Sequence, residues 1–193
     1  MSSDYQELQS LLTKTEANLK AIEAVSSNFV LAVLNEWRYT TWHVIAAAFG
    51  PEAEREDQRK RAECHLRRAY FDSCDVRIDC LLDEARQKDL EFRDFAAVVN
   101  AVFPDYPAMR EVFRRASKMH HEANALTSED RERKYDMLEG IVRDLDEAVD
   151  RVRTHEWAIR TAIRKAKIKT VWQFLIGSAT IVAALIALIG VVV

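Results

Sequence analysis

The stretch LEGIVRDLDEAVDRVRTHEWAIRTAIRKAKIKTVWQ, residues 138–173, decides the fold. Leu138, Val142, Leu145, Val149, Val152, Glu156, Ile159, Ile163, Ala166, Thr170 and Gln173 follow one another in alternating steps of four and three. Such steps put every position on one face of an α-helix, at the a and d places of a heptad repeat. Glu156 is the one charge in that seam. Gly140 lies outside it and costs the helix only about 1 kcal/mol relative to Ala. Two uses of the seam are open: packing inside a bundle of this chain, or a stalk that associates with a second copy.

Upstream, Thr-Ser-Glu-Asp at 127–130 reads as a helix start, with Thr127 or Ser128 as the cap and acids in the first turn. A helix unbroken from there to the last residue is roughly 99 Å long. Downstream, Val171 to Val193 carries no charge. At ~1.5 Å per residue that run matches the ~30 Å hydrocarbon core of a bilayer with a little tilt. A buried core helix is rarely apolar on every face for so long, so the run reads as a transmembrane helix. Arg160, Arg164, Lys165, Lys167 and Lys169 precede it, and no acid follows Glu156. Basic flanks stay on the cytoplasmic side, among anionic headgroups, and Trp172 falls where an interfacial aromatic belongs. The expected localisation is single-pass in a membrane, with the body in the cytoplasm of a bacterial cell. The N-terminal MSSDYQELQSLL has neither the basic flank nor the apolar centre of a signal peptide.

Of the 193 residues, 31% are charged, while only 4 are Gly and 3 are Pro, so elements are long and helical. Strand-like alternation is missing. From Ser2 to Phe49 there is no Gly or Pro, and Leu12, Leu19, Ile22, Phe29 and Val33 keep helical spacing, with Ser26-Ser27-Asn28 as a bend or break. Gly50-Pro51 ends that segment, and Pro51 with Glu52 and Glu54 suits the next helix start. The following helix is expected to break near Lys88-Asp89-Leu90, and a firmer break stands at FPDYP, residues 103–107. The fold class is therefore all-α: an antiparallel up-and-down bundle whose long last helix continues into a C-terminal membrane helix. Residues 1–160 form the bundle, 161–170 the basic juxtamembrane segment and 171–193 the span.

The formal charge of the chain is −3; without the five basic residues named above, residues 1–159 carry −8. So acidic a body is a poor general binder of nucleic acid, and RNA is not indicated as a partner. Cys64, Cys74 and Cys80 lack metal-site spacing and read as small buried thiols in a reducing compartment. No metal or cofactor is expected: Glu-x-x-His is missing, as are a Gly-rich phosphate loop and HExxH. Asp72, Asp75 and Asp79 alternate with Arg68 and Arg77 and read as paired surface charge.

Arginine and histidine recur together. NEWRYTTWHVI (35–45) holds Arg38 and His43; FRRASKMHHEA (113–123) holds Arg114 and Arg115 ahead of His120 and His121; QRKRAECH (58–65) holds Arg59 and Arg61 ahead of His65. Residues five apart on a straight helix point about 140° apart, so a pair converges only with a bend or a second subunit. Together they suit phosphodiester cleavage: His moves a proton and Arg stabilises charge on phosphorus. The competing reading of Arg38/His43, flanked by Trp37, Tyr39 and Trp42, is a helix–helix contact; that of Arg115/His120 is a solvated face. On these motifs the chain resembles HEPN domains, all-α bundles that are often dimeric and often metal-independent ribonucleases with an Arg-x4–6-His motif. The resemblance implies catalytic roles for Arg115 and His120, or Arg38 and His43, although Ala116 or Tyr39 stands after the arginine where the family prefers a polar residue. HEPN-like proteins with a membrane segment, found beside CRISPR and other antiphage systems, oligomerise into pores, and the anchored bundle is most similar to those.

In the apolar run, Ala179, Ala183, Ala187 and Gly190 share one side, a face that lets helices approach closely in lipid. The expected function is thus a membrane-anchored, self-associating effector, with the lipid bilayer, further copies of itself and a protein of a defence system as partners. A membrane-tethered ribonuclease and a tail-anchored scaffold are the alternatives.

Overall fold

The computed structural model describes residues 3–25 and 30–192, with side chains beyond 180 outside that description. Among the described residues six α-helices follow one another: α1 (Ser3–Val25), α2 (Leu31–Phe49), α3 (Glu52–Phe92), α4 (Ala96–Val102), α5 (Tyr106–Asn124) and α6 (Arg131–Val192). Short 3-10 turns at Arg93–Phe95 and Ser128–Asp130 precede α4 and α6. Among the described residues there is no strand, as the composition led one to expect.

Each boundary has a local cause. Ser26-Ser27-Asn28 lies outside the described residues, but the helices on either side are separate. At the end of α2 the Gly50 amide caps the Ala46 carbonyl at 2.8 Å, and a Cβ on Gly50 would run into that oxygen. Pro51 then caps α3, whose first turn carries Glu52 and Glu54. The break expected at Lys88-Asp89-Leu90 occurs later, at Arg93. Asp89 takes a 2.6 Å ion pair from Arg110 of α5, and this contact holds α3 helical through the weak spot. Phe103 ends α4 and Pro107 sits in the first turn of α5, so FPDYP is a break as read. Before α6, Thr127 is the cap position, yet its hydroxyl donates to the Asp130 carboxylate at 3.3 Å and accepts no backbone N–H.

α3 and α6 are the frame. Tyr70 donates to Glu139 at 2.8 Å, Arg77 to Asp146 at 2.7 and 2.8 Å, Arg153 to Glu84 at 2.6 and 2.9 Å, and Arg160 to Glu91 at 2.9 Å. In every case the partners are 69 residues apart. A constant offset means the two helices run parallel, and steps of seven mean they hold one heptad register. α5 runs antiparallel to both: Asp75 and Asp89 of α3 face His120 and Arg110, while Asp105 and Asn124 face Arg151 and Lys134 of α6. α2 is antiparallel to α3, with Glu36 on His65 and His43 on Gln58. α1 lies parallel to α3: the Asn18 amide donates to Ser73 at 3.0 Å and to Cys74 at 3.3 Å.

The heptad seam packs inward. Leu138, Leu145, Val149, Val152, Ile159 and Ile163 are buried, Val142 and Ala166 half-buried, Thr170 and Gln173 exposed. Two cores stack along the frame, one around Phe71, Cys74, Ile78, Leu138 and Leu145, the other around Phe92, Val99, Phe103, Val152 and Ile159. Between residues 138 and 163 the seam therefore serves the chain's own bundle. The charge within it is answered too: Lys88 reaches Glu156 at 2.5 Å and Arg160 at 2.7 Å.

Because Arg77 is only 18% exposed in its side chain, removing its carboxylate partner strands a cation. Asp146→Ala is expected to cost about 2 kcal/mol, seen as a lower Tm by circular dichroism of the full chain. Arg77→Asp combined with Asp146→Arg recovers at least half of that loss, whereas an equal loss in the double variant would show that the pair does not hold the register.

Candidate functional site

Two histidine clusters lie on the surface of α3. In the first, α2 supplies Glu36, Tyr39 and His43, and α3 supplies Gln58 and His65. His65 Nδ1 lies 2.7 Å from Glu36 Oε2, and His43 Nδ1 lies 2.7 Å from Gln58 Oε1. The Gln58 amide oxygen can only accept, so His43 donates to it through Nδ1. The His65 ring stacks on His43 and on Tyr39, with centroids 5.2 Å apart in each case. Arg38 leaves this cluster: it is exposed, and its guanidinium lies over the Tyr39 ring at 5.0 Å. His43 thus turns into the α2–α3 contact while Arg38 turns outward.

In the second cluster, His120 of α5 points at α3. Its Nε2 lies 3.0 Å from Asp75 and its Nδ1 3.7 Å from Asp79, and only 12% of the side chain is exposed. Arg115 leaves on another side and meets Asp144 of α6 at 3.4 Å. His121 is exposed, and Arg114 is held by Glu111 one turn earlier. Within one chain neither Arg–His pair converges, as the angular argument demands. Both histidines hold helices together, and the two carboxylates on His120 were not anticipated as its partners.

The reading of Asp72, Asp75 and Asp79 as charges paired along their own helix needs correction. Arg77 gives its guanidinium to Asp146 on α6, and Asp75 and Asp79 face His120. Asp72 stands half-buried, and its carboxyl is raised above the ordinary range by burial first and then by Glu36 and Asp75. The cysteines also need correction, since Cys64 is exposed. Cys74 is buried, and burial pushes its thiol up to about 11, which keeps it protonated and unreactive. Among the described residues no group of histidines, cysteines and carboxylates is arranged to hold a metal.

The residues expected at a membrane interface are placed differently. Arg164, Lys165, Lys167, Lys169 and Trp172 are exposed around α6 below the bundle, with the Lys167 ammonium 5.1 Å over the Phe95 ring. Ala179 is exposed as well; the side chains of Ala183, Ala187 and Gly190 lie outside the described residues, so the small-residue face is seen only at its start. Among the described residues no helix is long and apolar enough to cross a membrane; the side chains of the greater part of the 171–193 run are not among those described. Compared with known proteins, the chain matches no family model, no curated protein and no solved structure.

A structural role separates the two residues of the second pair. His120→Ala is expected to lower stability by about 1–2 kcal/mol, while Arg115→Ala stays within about 0.5 kcal/mol, both read from thermal unfolding. Glu156 supplies a pH signature. The hydrogen bond from Lys88 foremost, with burial opposing and Arg160 adding, holds its carboxyl below the ordinary range. A depressed folded-state pKa gives stability that is complete above the usual carboxylate range and disappears as pH falls through the lowered value. The stability lead of the native chain over Glu156→Gln should accordingly be largest near neutrality and vanish in acid; a pH-independent difference would refute the assignment.

Proposed function

We propose that this protein is a membrane-anchored helical effector: a cytoplasmic bundle fixed to the bilayer by the end of α6, which associates with further copies and acts on the membrane itself. One observation carries the reading. Past the last core residue of α6, Ile168, Val171, Trp172, Phe174, Leu175 and Ile176 are between 51% and 75% exposed. At about 100° per residue they span roughly 200° of the helix circumference, with Thr170 and Gln173 on the remaining side; the run from Phe174 onward carries no charge on any side, and no element among the described residues extends far enough to cover it. Full burial of such a side chain is favourable by roughly 1.5–3 kcal/mol, so six that are half to three-quarters exposed represent roughly 5–11 kcal/mol in favour of an apolar surrounding. A helix apolar all round is covered by lipid or by protein, and the basic collar from Arg164 to Lys169 suits the phosphate level of a bilayer.

The rest of the molecule fits this role. α6 is unbroken from Arg131 to Val192, roughly 93 Å of helix, of which roughly 44 Å projects beyond Ile163. Because the same helix forms the core seam and the projecting segment, a change in how bodies pack is transmitted to the apolar end without a hinge. Ala179 and the small residues that follow it in sequence supply a face for association in lipid. Permeation or disruption of the bilayer, set off by a protein partner in antiphage defence, is the form of action that the resemblance to membrane-bearing HEPN-like proteins supports. The ribonuclease alternative gains no observation, since both Arg–His pairs point apart within the chain.

The anchor is tested by fractionation. The full chain is expected in the membrane pellet, resistant to alkaline carbonate and released by detergent, and deletion of residues 171–193 should move it to the supernatant. Vesicles of phosphatidylethanolamine and phosphatidylglycerol holding the full chain should leak an entrapped dye. A full chain that stays soluble and folded without detergent would sink the proposal; a membrane-bound chain that leaks nothing would reduce it to a tether.

A further inference from the structure

α2 carries a second heptad stripe on its outer side. Leu31, Asn35, Arg38, Trp42, Ile45 and Phe49 follow in steps of four and three, and all six are exposed. Trp42 is 67% exposed and Phe49 86%. The opposite face, with Val33, Glu36, Thr40 and His43, packs on α3. A helix of a bundle that keeps one face for α3 has no reason of its own to place Trp, Ile and Phe at regular spacing on the other.

Three occupants compete. Lipid around the C-terminal segment is too far away. With the 69-residue offset between α3 and α6, the level of Val171 lies roughly 75 Å along the frame from the start of α3, beside which Phe49 sits. The chain's own apolar end projects in the opposite direction. A second copy fits. In parallel pairing each layer meets itself. Leu31, Trp42, Ile45 and Phe49 form apolar layers, and Asn35 at an a position is the kind of polar layer that fixes register and favours two strands. Arg38, the one charge, is drawn off the seam onto the Tyr39 ring at 5.0 Å. The flanking Ala32, Thr41 and Ala48 are small and exposed, so the backbones can approach. The area suffices as well: with ~150–250 Å² per aromatic side chain, Trp42 and Phe49 offer roughly 300 Å² per copy, about half of what the smallest specific interfaces bury, before Leu31 and Ile45 are added.

We propose that the outer face of α2 is a homodimer interface, in which two copies pair their α2 helices in parallel about a two-fold axis running along α6. The parallel sense rests on the anchoring reading, because it is the sense in which both apolar ends leave the dimer on the same side.

Cysteine cross-linking of the detergent-solubilised full chain tests this, in a Cys64→Ser background because Cys64 is exposed. Ile45→Cys is expected to form a disulfide dimer on mild oxidation, and a mixture of Leu31→Cys with Phe49→Cys is expected to give no heterodimer. Trp42→Glu with Phe49→Glu should raise the dimer dissociation constant at least about tenfold. At concentrations low enough that both are monomeric, its thermal unfolding should match that of the native chain, since both side chains are already exposed in the single chain. A native chain that is monomeric at micromolar concentration, or a Trp42→Glu/Phe49→Glu chain that dimerises as before, overturns the proposal. If carbonate-resistant membrane binding persists in that case, anchoring survives and only the interface fails. A Leu31–Phe49 heterodimer overturns the parallel pairing and, with it, anchoring of both copies in one bilayer.

Discussion

The structure depends on one register, that of α3 against α6. Their side chains meet at Tyr70–Glu139, Arg77–Asp146, Glu84–Arg153 and Glu91–Arg160, a rung every seven residues. Apolar packing alone fixes such a register weakly, since a slide of one heptad brings similar side chains into the same holes. The order of charges removes the ambiguity. Moving α6 by one heptad in one direction sets Glu84 against Asp146, and in the other sets Arg77 against Arg153. Each slip keeps some favourable rungs and makes one repulsive pair, with the most buried cation of the ladder among the casualties in the second case. Exposed ion pairs add little to stability, so the value of this ladder lies in excluding neighbouring registers.

Once that register is set, the other helices have little freedom. α5 lies antiparallel in the α3–α6 groove because its links to each neighbour are bonded at both ends. His120 sits on Asp75 and Arg110 on Asp89 along α3; Arg151 on Asp105 and Lys134 on Asn124 join it to α6. α1 is positioned by buried polar groups rather than by a large apolar stripe. Asn18, 7% exposed, donates to Ser73 and Cys74, and both Ser73 and Thr15 are fully buried. A buried amide with its partners in place tolerates no sliding, because any shift leaves a donor unsatisfied. The histidines do similar work at the periphery, which is why their nearest neighbours are carboxylates and an amide on other helices and not the arginines that precede them in the chain.

Much of this was legible in the residues. The four-and-three steps from Leu138 to Ile163 identified the buried face of α6, and Gly50-Pro51 located a helical hairpin. That turn also contained its pairings: Glu36 and His65 are equidistant from it, as are His43 and Gln58, so an antiparallel hairpin centred there brings them together. Other features depended on contacts between segments remote in the chain. Lys88-Asp89-Leu90 has the composition of a break, and a guanidinium from α5 keeps it helical. Glu156 interrupts the apolar seam, and its answer, Lys88, comes from another helix. The seam itself changes meaning along its length. The same spacing that is core at Ile159 is open surface at Thr170, because α3 ends at Phe92 and nothing beside α6 continues past the level of α4.

That change of meaning sets two separate problems of solvent at the two ends of one rod. At the lower end, exposed apolar side chains cover more than half the circumference of a projecting helix, a wider arc than one helical partner covers. At the upper end, the most exposed apolar side chains of α2, Leu31, Trp42, Ile45 and Phe49, form a narrow stripe at heptad spacing, with polar layers at Asn35 and Arg38. A fluid has no use for that spacing, whereas a second helix does. The geometry of exposure thus distinguishes the two ends: a broad apolar arc on a projecting helix at one, a spaced stripe on a packed helix at the other. Since α6 is continuous and α2 is braced against the same α3 that fixes α6, pairing at the upper end orients the lower ends. Two chains joined through α2 would hold their C-terminal helices at a set separation and rotation, and so fix the direction in which the run of small residues that begins at Ala179 is presented.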